Sequence, residues 1–135
     1  MTPDTIHFPL GDPETAWPFD YSGERAVIRE RFEFVDGDER VVVLPGFVTD
    51  FNSIPRPLWP WFPPTEYPAA GIVHDWLYQH PGGRSRGDCD RIHRRILEIY
   101  GCRKSKRSMA YAGLRMGGWL PWRRYRKAEA TVTVA

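Results

Sequence analysis

The sequence predicts a single α+β domain in which a β-hairpin precedes a group of helices. Its 135 residues suit one domain with its own core. Apolar and polar residues alternate over residues 25–35, as in a half-buried strand, whereas apolar residues recur at helical spacing only after residue 68. Between these regions, residues 57–68 contain five prolines, so a regular helix is not expected there.

The N-terminal part is predicted to be an arm followed by the hairpin. Residues 1–24 lack a sustained period and contain four prolines, which indicates an extended arm. The strand over 25–35 meets a turn at 36–38, and a β-branched run at 40–44 returns alongside it. Residues 25–117 would form the domain proper.

The helical part is predicted to contain a helix hairpin and a third helix. Residues 69–79 carry apolar side chains at helical spacing and form the first helix. Ser85 is a suitable N-cap for the second helix, which Gly101 ends. The third helix is expected at roughly 105–116. The proline-rich aromatic connector over 57–68 is expected to cover an apolar surface.

The charge of the chain is concentrated at its C-terminal end. Residues 99–128 hold nine lysines and arginines and no acidic residue, although the net charge is only +2. Residues 118–135 are therefore described as a basic aromatic tail, expected to be a loosely held strand or disordered. This composition suits phosphate groups, anionic lipid, cell-wall material or an acidic partner, and nucleic acid stays an alternative. A solvated basic helix is the alternative that involves no binding.

Composition and spacing argue against several classes of protein and site. No stretch approaches the roughly 18 apolar residues of a membrane span, and no signal-peptide pattern opens the chain. Cys89 and Cys102 cannot bridge each other along one helix, which favours a reducing compartment. No paired ligand spacing indicates structural zinc, and no glycine-rich loop indicates a phosphate site.

One group of polar residues on the predicted helix hairpin can support chemistry. His74 and Tyr78 lie one turn apart on the first helix and so face the same way. The second helix carries Asp88 and Asp90, either of which could orient the imidazole, and Asp90 is preferred. A histidine fixed by a carboxylate can act as a general base. The alternative is that these groups only satisfy neighbouring backbone.

A cation and a substrate would need further ligands. Asp75, with Asp50 or loop carbonyls, could hold a hard cation such as Ca²⁺, which takes six to eight oxygen ligands. The polar loop over residues 47–56 also offers side chains for binding. The residues expected to make binding contacts are Asn52, Ser53, Arg56 and Trp76. A turn held by side-chain to backbone bonds is the alternative for Asp50, Asn52 and Ser53.

The segments "LPGFVTDFNSIPR", "AAGIVHDWLY" and "SRGDCDRIHRRILEIYG" together resemble a family of unknown function, DUF1353, over roughly residues 25–117. The family is found widely in tailed bacteriophages and prophages. The resemblance implies phage or prophage origin, a place in the host cytoplasm or the assembled virion, and other phage structural proteins as possible partners. It implies no established activity.

A second resemblance is to secreted phospholipase A2 of the small prokaryotic type. The His-Asp-x-x-Tyr pattern of one helix is met by His74, Asp75 and Tyr78. The pattern of the other helix, Ser-Arg-x-Asp or Asp-x-x-Phe, is met either by Ser85, Arg86 and Asp88 or by Asp90 with His93 in the aromatic place. The likeness implies that His74 activates water, that Asp75 binds Ca²⁺ and that Asp90 orients His74. The glycine-rich calcium loop of that family is missing here.

The sequence therefore leads to two functional hypotheses. The first is a phage-encoded hydrolase that acts through a His-Asp site on an ester or amide bond of lipid or cell-wall material. The second is a virion or tail-assembly component in which the same residues brace the fold.

Overall fold

Strands and helices occupy separate parts of the chain, as an α+β fold requires. The computed structural model describes residues 6–7, 19–22, 25–50, 57, 60 and 67–134. The chain divides into two units, Met1–Asp50 with the strands and Phe51–Ala135 with the helices. The predicted α+β class is confirmed.

The first unit contains two antiparallel three-stranded sheets. Its strands are β1 (Ile6–His7), β2 (Phe19–Ser22), β3 (Arg25–Ile28), β4 (Phe32–Asp36), β5 (Glu39–Val43) and β6 (Val48–Thr49). The strand orders are β1-β4-β5 and β2-β3-β6. Two short strands thus lie in the region expected to be an extended arm, most of which is outside the described residues.

The predicted hairpin is confirmed as β4 and β5. Asp36 pairs with Glu39 across the turn, and Gly37 has a φ of 59°, a left-handed conformation that suits glycine. The strand expected over 25–35 is in fact two strands. Residues 25–28 pair within one sheet and residues 32–36 within the other, so residues 29–31 carry the chain between them.

The described residues of the second unit form four helices between residues 68 and 134. They are α1 (Pro68–Gln79), α2 (Arg86–Ile99), α3 (Lys104–Gly117) and α4 (Trp119–Val134). Helix α2 packs against both α1 and α3, and α4 packs against α1 and α3. The shared apolar core contains Ala69, Ala70, Ile72, Val73, Leu77, Ile92, Ile96, Leu97, Ala110 and Leu114.

The ends of α2 follow the predicted signals. Ser85 caps the start through a capping box, in which its hydroxyl accepts from the Asp88 N–H and the Asp88 carboxylate accepts from the Ser85 N–H. At the other end Gly101 has a φ of 82°, and the N–H of Cys102 donates to the Leu97 carbonyl at 2.9 Å. This is the Schellman arrangement that glycine favours.

The C-terminal segment differs from its prediction. Residues 118–135 were expected to be a strand or disordered, but Trp119–Val134 forms α4. Gly118 has a right-handed helical conformation, and its N–H donates to the Leu114 carbonyl at 2.8 Å. Two glycines therefore mark a junction between helices here instead of a terminus. No helix in the described part of the chain has the length and hydropathy needed to cross a membrane.

We predict that Gly118→Ala destabilises the protein because the junction leaves no room for a Cβ. A methyl group there would come within 2.6 Å of the Leu114 carbonyl oxygen and would also overlap the Tyr78 hydroxyl. The expected loss is about 1–3 kcal/mol of unfolding free energy, measured by urea denaturation.

Gly87→Ala in α2 is the matched control. Its Cβ would meet only flexible arginine ends, at 3.4 Å from the Arg91 and Arg115 Nη1 atoms. Alanine is favoured over glycine inside a helix by up to about 1 kcal/mol, so this variant should be as stable as the wild type or more so. Equal losses in the two variants would contradict the close approach at Gly118.

Candidate active site

Helices α1 and α2 bring His74, Tyr78 and Asp90 together. The His74 Nε2 lies 2.8 Å from Asp90 Oδ1, and the Tyr78 hydroxyl donates to the same oxygen at 2.6 Å. The His74 and Tyr78 rings lie side by side, with centroids 4.2 Å apart, as expected one turn apart on a helix. All three side chains are fully buried. The choice of Asp90 over Asp88 as the carboxylate that contacts His74 agrees with this geometry.

The second oxygen of Asp90 accepts from two arginines. Arg115 Nη1 donates to Oδ2 at 2.9 Å from α3, and Arg86 Nη1 donates to it at 3.4 Å from the preceding turn of α2. Arg86 also donates to the carbonyls of Leu114 and Arg115, at 2.9 and 3.0 Å. Arg86 therefore links the carboxylate to the C-terminal end of α3.

These contacts keep Asp90 ionised inside the protein. Burial by itself raises the pKa of a carboxyl group. Against that effect, the hydrogen bond and charge of His74 and the hydrogen bonds from Tyr78 and Arg115 bring the pKa of Asp90 below its ordinary value. The pKa of Tyr78 is raised, first by burial and then by the charge of Asp90, so its hydroxyl keeps its proton and remains a donor.

His93 of α2 packs against the site from the apolar side. Its ring meets the His74 ring edge-on, with centroids 5.2 Å apart, and it is 2% exposed. Burial lowers the pKa of His93 to about 3, and the neighbouring His74 lowers it further than the Asp90 carboxylate raises it. His93 is therefore a neutral imidazole at physiological pH.

The Asp75 side chain contacts α4, whereas the His74 side chain contacts α2. Tyr125 of α4 donates to Asp75 Oδ1 at 3.2 Å, and Gln79 donates to Oδ2 at 3.3 Å. Within the parts of the chain that the structure describes, no three histidine, cysteine, aspartate or glutamate side chains are grouped to hold a metal ion. Asp75 therefore links α1 to α4 through Tyr125, and the predicted Ca²⁺ site at Asp75 stays a prediction.

The remaining predicted site residues lie apart from the His74 contact or outside the described residues. Asp88 caps α2 through Ser85 and pairs with Arg91. The hydrogen bonds with Ser85, and then the one from Arg91, lower the pKa of the Asp88 carboxyl group. Trp76 is half-buried, and its ring packs on His80 with centroids 4.3 Å apart. Asp50 is the last residue of the first unit. Three binding candidates, Asn52, Ser53 and Arg56, lie outside the described residues.

The sequence match to known families covers this helix hairpin. The sequence profile of a family described as a protein of unknown function (DUF1353) matches residues 26–114, about two thirds of the chain. The chain belongs to the DUF1353 family. No curated protein and no solved structure is significantly similar to it. In this DUF1353 protein, His74, Tyr78 and Asp90 lie within the matched region, whereas Arg115 and α4 follow it.

Several residues around the site were not predicted from the sequence. Arg86 stands four residues before Asp90 on one helix, a spacing that could have indicated the pair. Arg115 gave no such signal, because 25 residues separate it from Asp90. Helix α4 contributes Trp122, whose ring meets Tyr78 edge-on at 5.3 Å, and Arg126, which donates to the Tyr78 carbonyl at 2.5 Å.

We predict that His93 makes the DUF1353 protein lose stability as the pH falls below about 6.5. In the unfolded chain its pKa returns to about 6.5, so between that pH and the folded pKa of about 3 the unfolded state binds the extra proton. Above pH 6.5 the neutral His93 makes its full contribution to the free energy of unfolding. Because of this one group, the free energy of unfolding should fall by about 1.4 kcal/mol between pH 7.5 and 5.5.

Urea denaturation of the wild type, His93→Leu and His80→Leu at both pH values tests this prediction. His93→Leu should reduce the pH dependence by about that amount, because leucine has no proton to gain. His80 is exposed, so His80→Leu should leave the pH dependence as it is. An unchanged slope in His93→Leu would mean that the imidazole titrates normally in the folded protein.

Proposed function

We propose that the protein is a hydrolase in which His74 acts as general base on a carboxylic ester or amide bond. The observation that carries the proposal is the 2.8 Å contact between His74 Nε2 and an ionised, fully buried Asp90. Such a carboxylate fixes the tautomer of the imidazole and stabilises the imidazolium that forms when the base takes a proton. The resemblance to the phospholipase A2 helix pair supports the same roles.

The reaction would use the second nitrogen of the imidazole. Because Asp90 engages Nε2, Nδ1 is the atom that would take a proton from water as the water oxygen attacks the carbonyl carbon. The imidazolium would return that proton to the leaving alkoxide or amine when the tetrahedral intermediate collapses. Acid and alcohol, or acid and amine, are the products. Asp90 acts as a positioning residue and keeps its charge, since four donors stabilise its ionised form.

The proposal requires a more open form of the protein than the one described. His74 is 0% exposed, so water and substrate reach Nδ1 only if neighbouring groups move. Conformational opening of a closed site is common among enzymes that exclude water during reaction. Lipid and cell-wall material remain the two proposed sources of the ester or amide.

The same burial favours a second candidate function. A fully enclosed and hydrogen-bonded Asp90 can serve to brace three helices of a virion or tail-assembly protein, with no chemistry at all. Breaking such a network leaves buried charges uncompensated, which typically costs several kcal/mol. Phage or prophage origin, and other phage proteins as partners, belong to both proposals.

Hydrolysis is tested with the purified full-length chain and its His74→Gln and Asp90→Asn variants. The substrates are p-nitrophenyl butyrate, phosphatidylglycerol vesicles and purified cell-wall sacculi. On a substrate that the wild type hydrolyses, His74→Gln should lower the rate per folded molecule by roughly 10²–10⁴-fold, the usual contribution of a general base. The folded fraction of each variant comes from its urea denaturation curve.

Two matched variants separate catalysis from general damage. His80→Gln changes an exposed histidine at the end of α1, and Asp88→Asn changes an exposed carboxylate on the same helix as Asp90. Both should keep the wild-type rate. If no substrate of the panel is hydrolysed faster by the wild type than by His74→Gln, the hydrolase proposal fails. If the Asp90→Asn variant then unfolds at a lower urea concentration than the wild type, the bracing role is favoured.

A further inference from the structure

Helices α3 and α4 leave four large apolar side chains exposed, and three of them lie within two residues of Gly118. The exposed fractions are 48% for Met109, 78% for Met116, 48% for Trp119 and 43% for Leu120. Met109 and Met116 are seven residues apart on α3, two helical turns, so they lie on one side of it. We call these four residues the apolar face. Single exposed apolar side chains are common on proteins, but several of them close together are typical of a surface that contacts a partner or a membrane.

Basic groups surround the apolar face. Arg123, Arg124 and Lys127 are exposed on α4, and the Arg123 guanidinium lies 5.9 Å from the centre of the Trp119 ring. At the start of α3 a shallow groove is lined by Arg103, Ser105, Lys106 and Met109, which places basic groups beside a methionine. Residues 99–128 contain no acidic side chain, and Glu129, the first acidic residue of α4, pairs with Arg126.

We propose that the apolar face and its basic surroundings dock on an anionic lipid bilayer. Exposed tryptophan, leucine and methionine can enter the boundary between headgroups and acyl chains, while arginine and lysine bind the phosphates above them. In this mode of binding the protein would lie on the membrane surface. This docking does not depend on hydrolysis by His74.

Charge and apolar exposure together distinguish lipid from other occupants. The phosphates of nucleic acid would bind the basic residues, but Met116 and Leu120 would find no apolar surface there to contact. A second copy of the chain would bring two basic faces together, which their mutual repulsion opposes. An anionic bilayer satisfies both the charge of the basic residues and the exposed apolar side chains, which neither nucleic acid nor a second copy does.

Vesicle co-sedimentation of the full-length protein tests the proposal. We expect binding to vesicles of phosphatidylglycerol and phosphatidylcholine in equal parts, little binding to pure phosphatidylcholine, and a fall in binding as salt is raised from 50 to 500 mM. The double variant Met116→Ser, Leu120→Ser and the double variant Arg123→Gln, Arg124→Gln should each weaken partition by roughly tenfold or more.

Matched controls come from the other unit of the chain. Leu44 and Val48 are 50% and 49% exposed, so Leu44→Ser with Val48→Ser removes comparable exposed apolar surface. Arg25→Gln with Arg31→Gln also removes two positive charges, from exposed positions in the first unit. Both control variants should partition within twofold of the wild type, and circular dichroism checks that all four variants are folded.

Three outcomes would overturn the proposal. The first is no sedimentation with anionic vesicles. The second is an equal loss of binding in the control variants, which would indicate that binding does not depend on the apolar face and the arginines beside it. The third is a concentration-dependent dimer, or binding to a DNA duplex, that the Met116→Ser, Leu120→Ser variant abolishes while vesicle binding is unchanged.

Discussion

The helical unit depends on one buried negative charge. An ionised carboxylate loses its hydration when it is enclosed, at a cost of several kcal/mol unless hydrogen bonds and opposite charges replace the water. Asp90 is 0% exposed and accepts from His74 and Tyr78 on α1, Arg86 on α2 and Arg115 on α3. The positions of three helices are thus fixed by the requirement that four donors reach one side chain.

This requirement also sets what the site can do. A carboxylate with four donors is a weak proton acceptor, so Asp90 suits the task of holding an imidazole and does not suit the task of taking its proton. His93 adds an uncharged wall behind His74, because burial keeps it neutral. Catalysis and bracing are therefore alternative uses of one arrangement, and the access of water to His74 decides between them.

Local signals in the sequence accounted for much of the helical unit. Capping by Ser85, termination at Gly101 and the shared face of His74 and Tyr78 all depend on residues within one or two turns, and the structure agrees with each. The predictions that were wrong or missing concern residues whose contacts lie far away in the sequence. The break in the 25–35 strand depends on which sheet each half joins, and helix α4 depends on contacts with α1 that no local pattern encodes. Arg115 could not be assigned to Asp90 without the path of α3.

Arginines from other helices donate to carbonyls close to the ends of two helices. Arg86 binds those of Leu114 and Arg115 near the end of α3, and Arg126 binds those of Tyr78 and Gln79 at the end of α1. The end of an isolated helix frays at little cost, because water replaces the missing partners. Here fraying at either end also breaks a contact between helices. Opening of the helix ends is therefore coupled to separation of the helices, which makes the unit unfold cooperatively instead of from its ends inward.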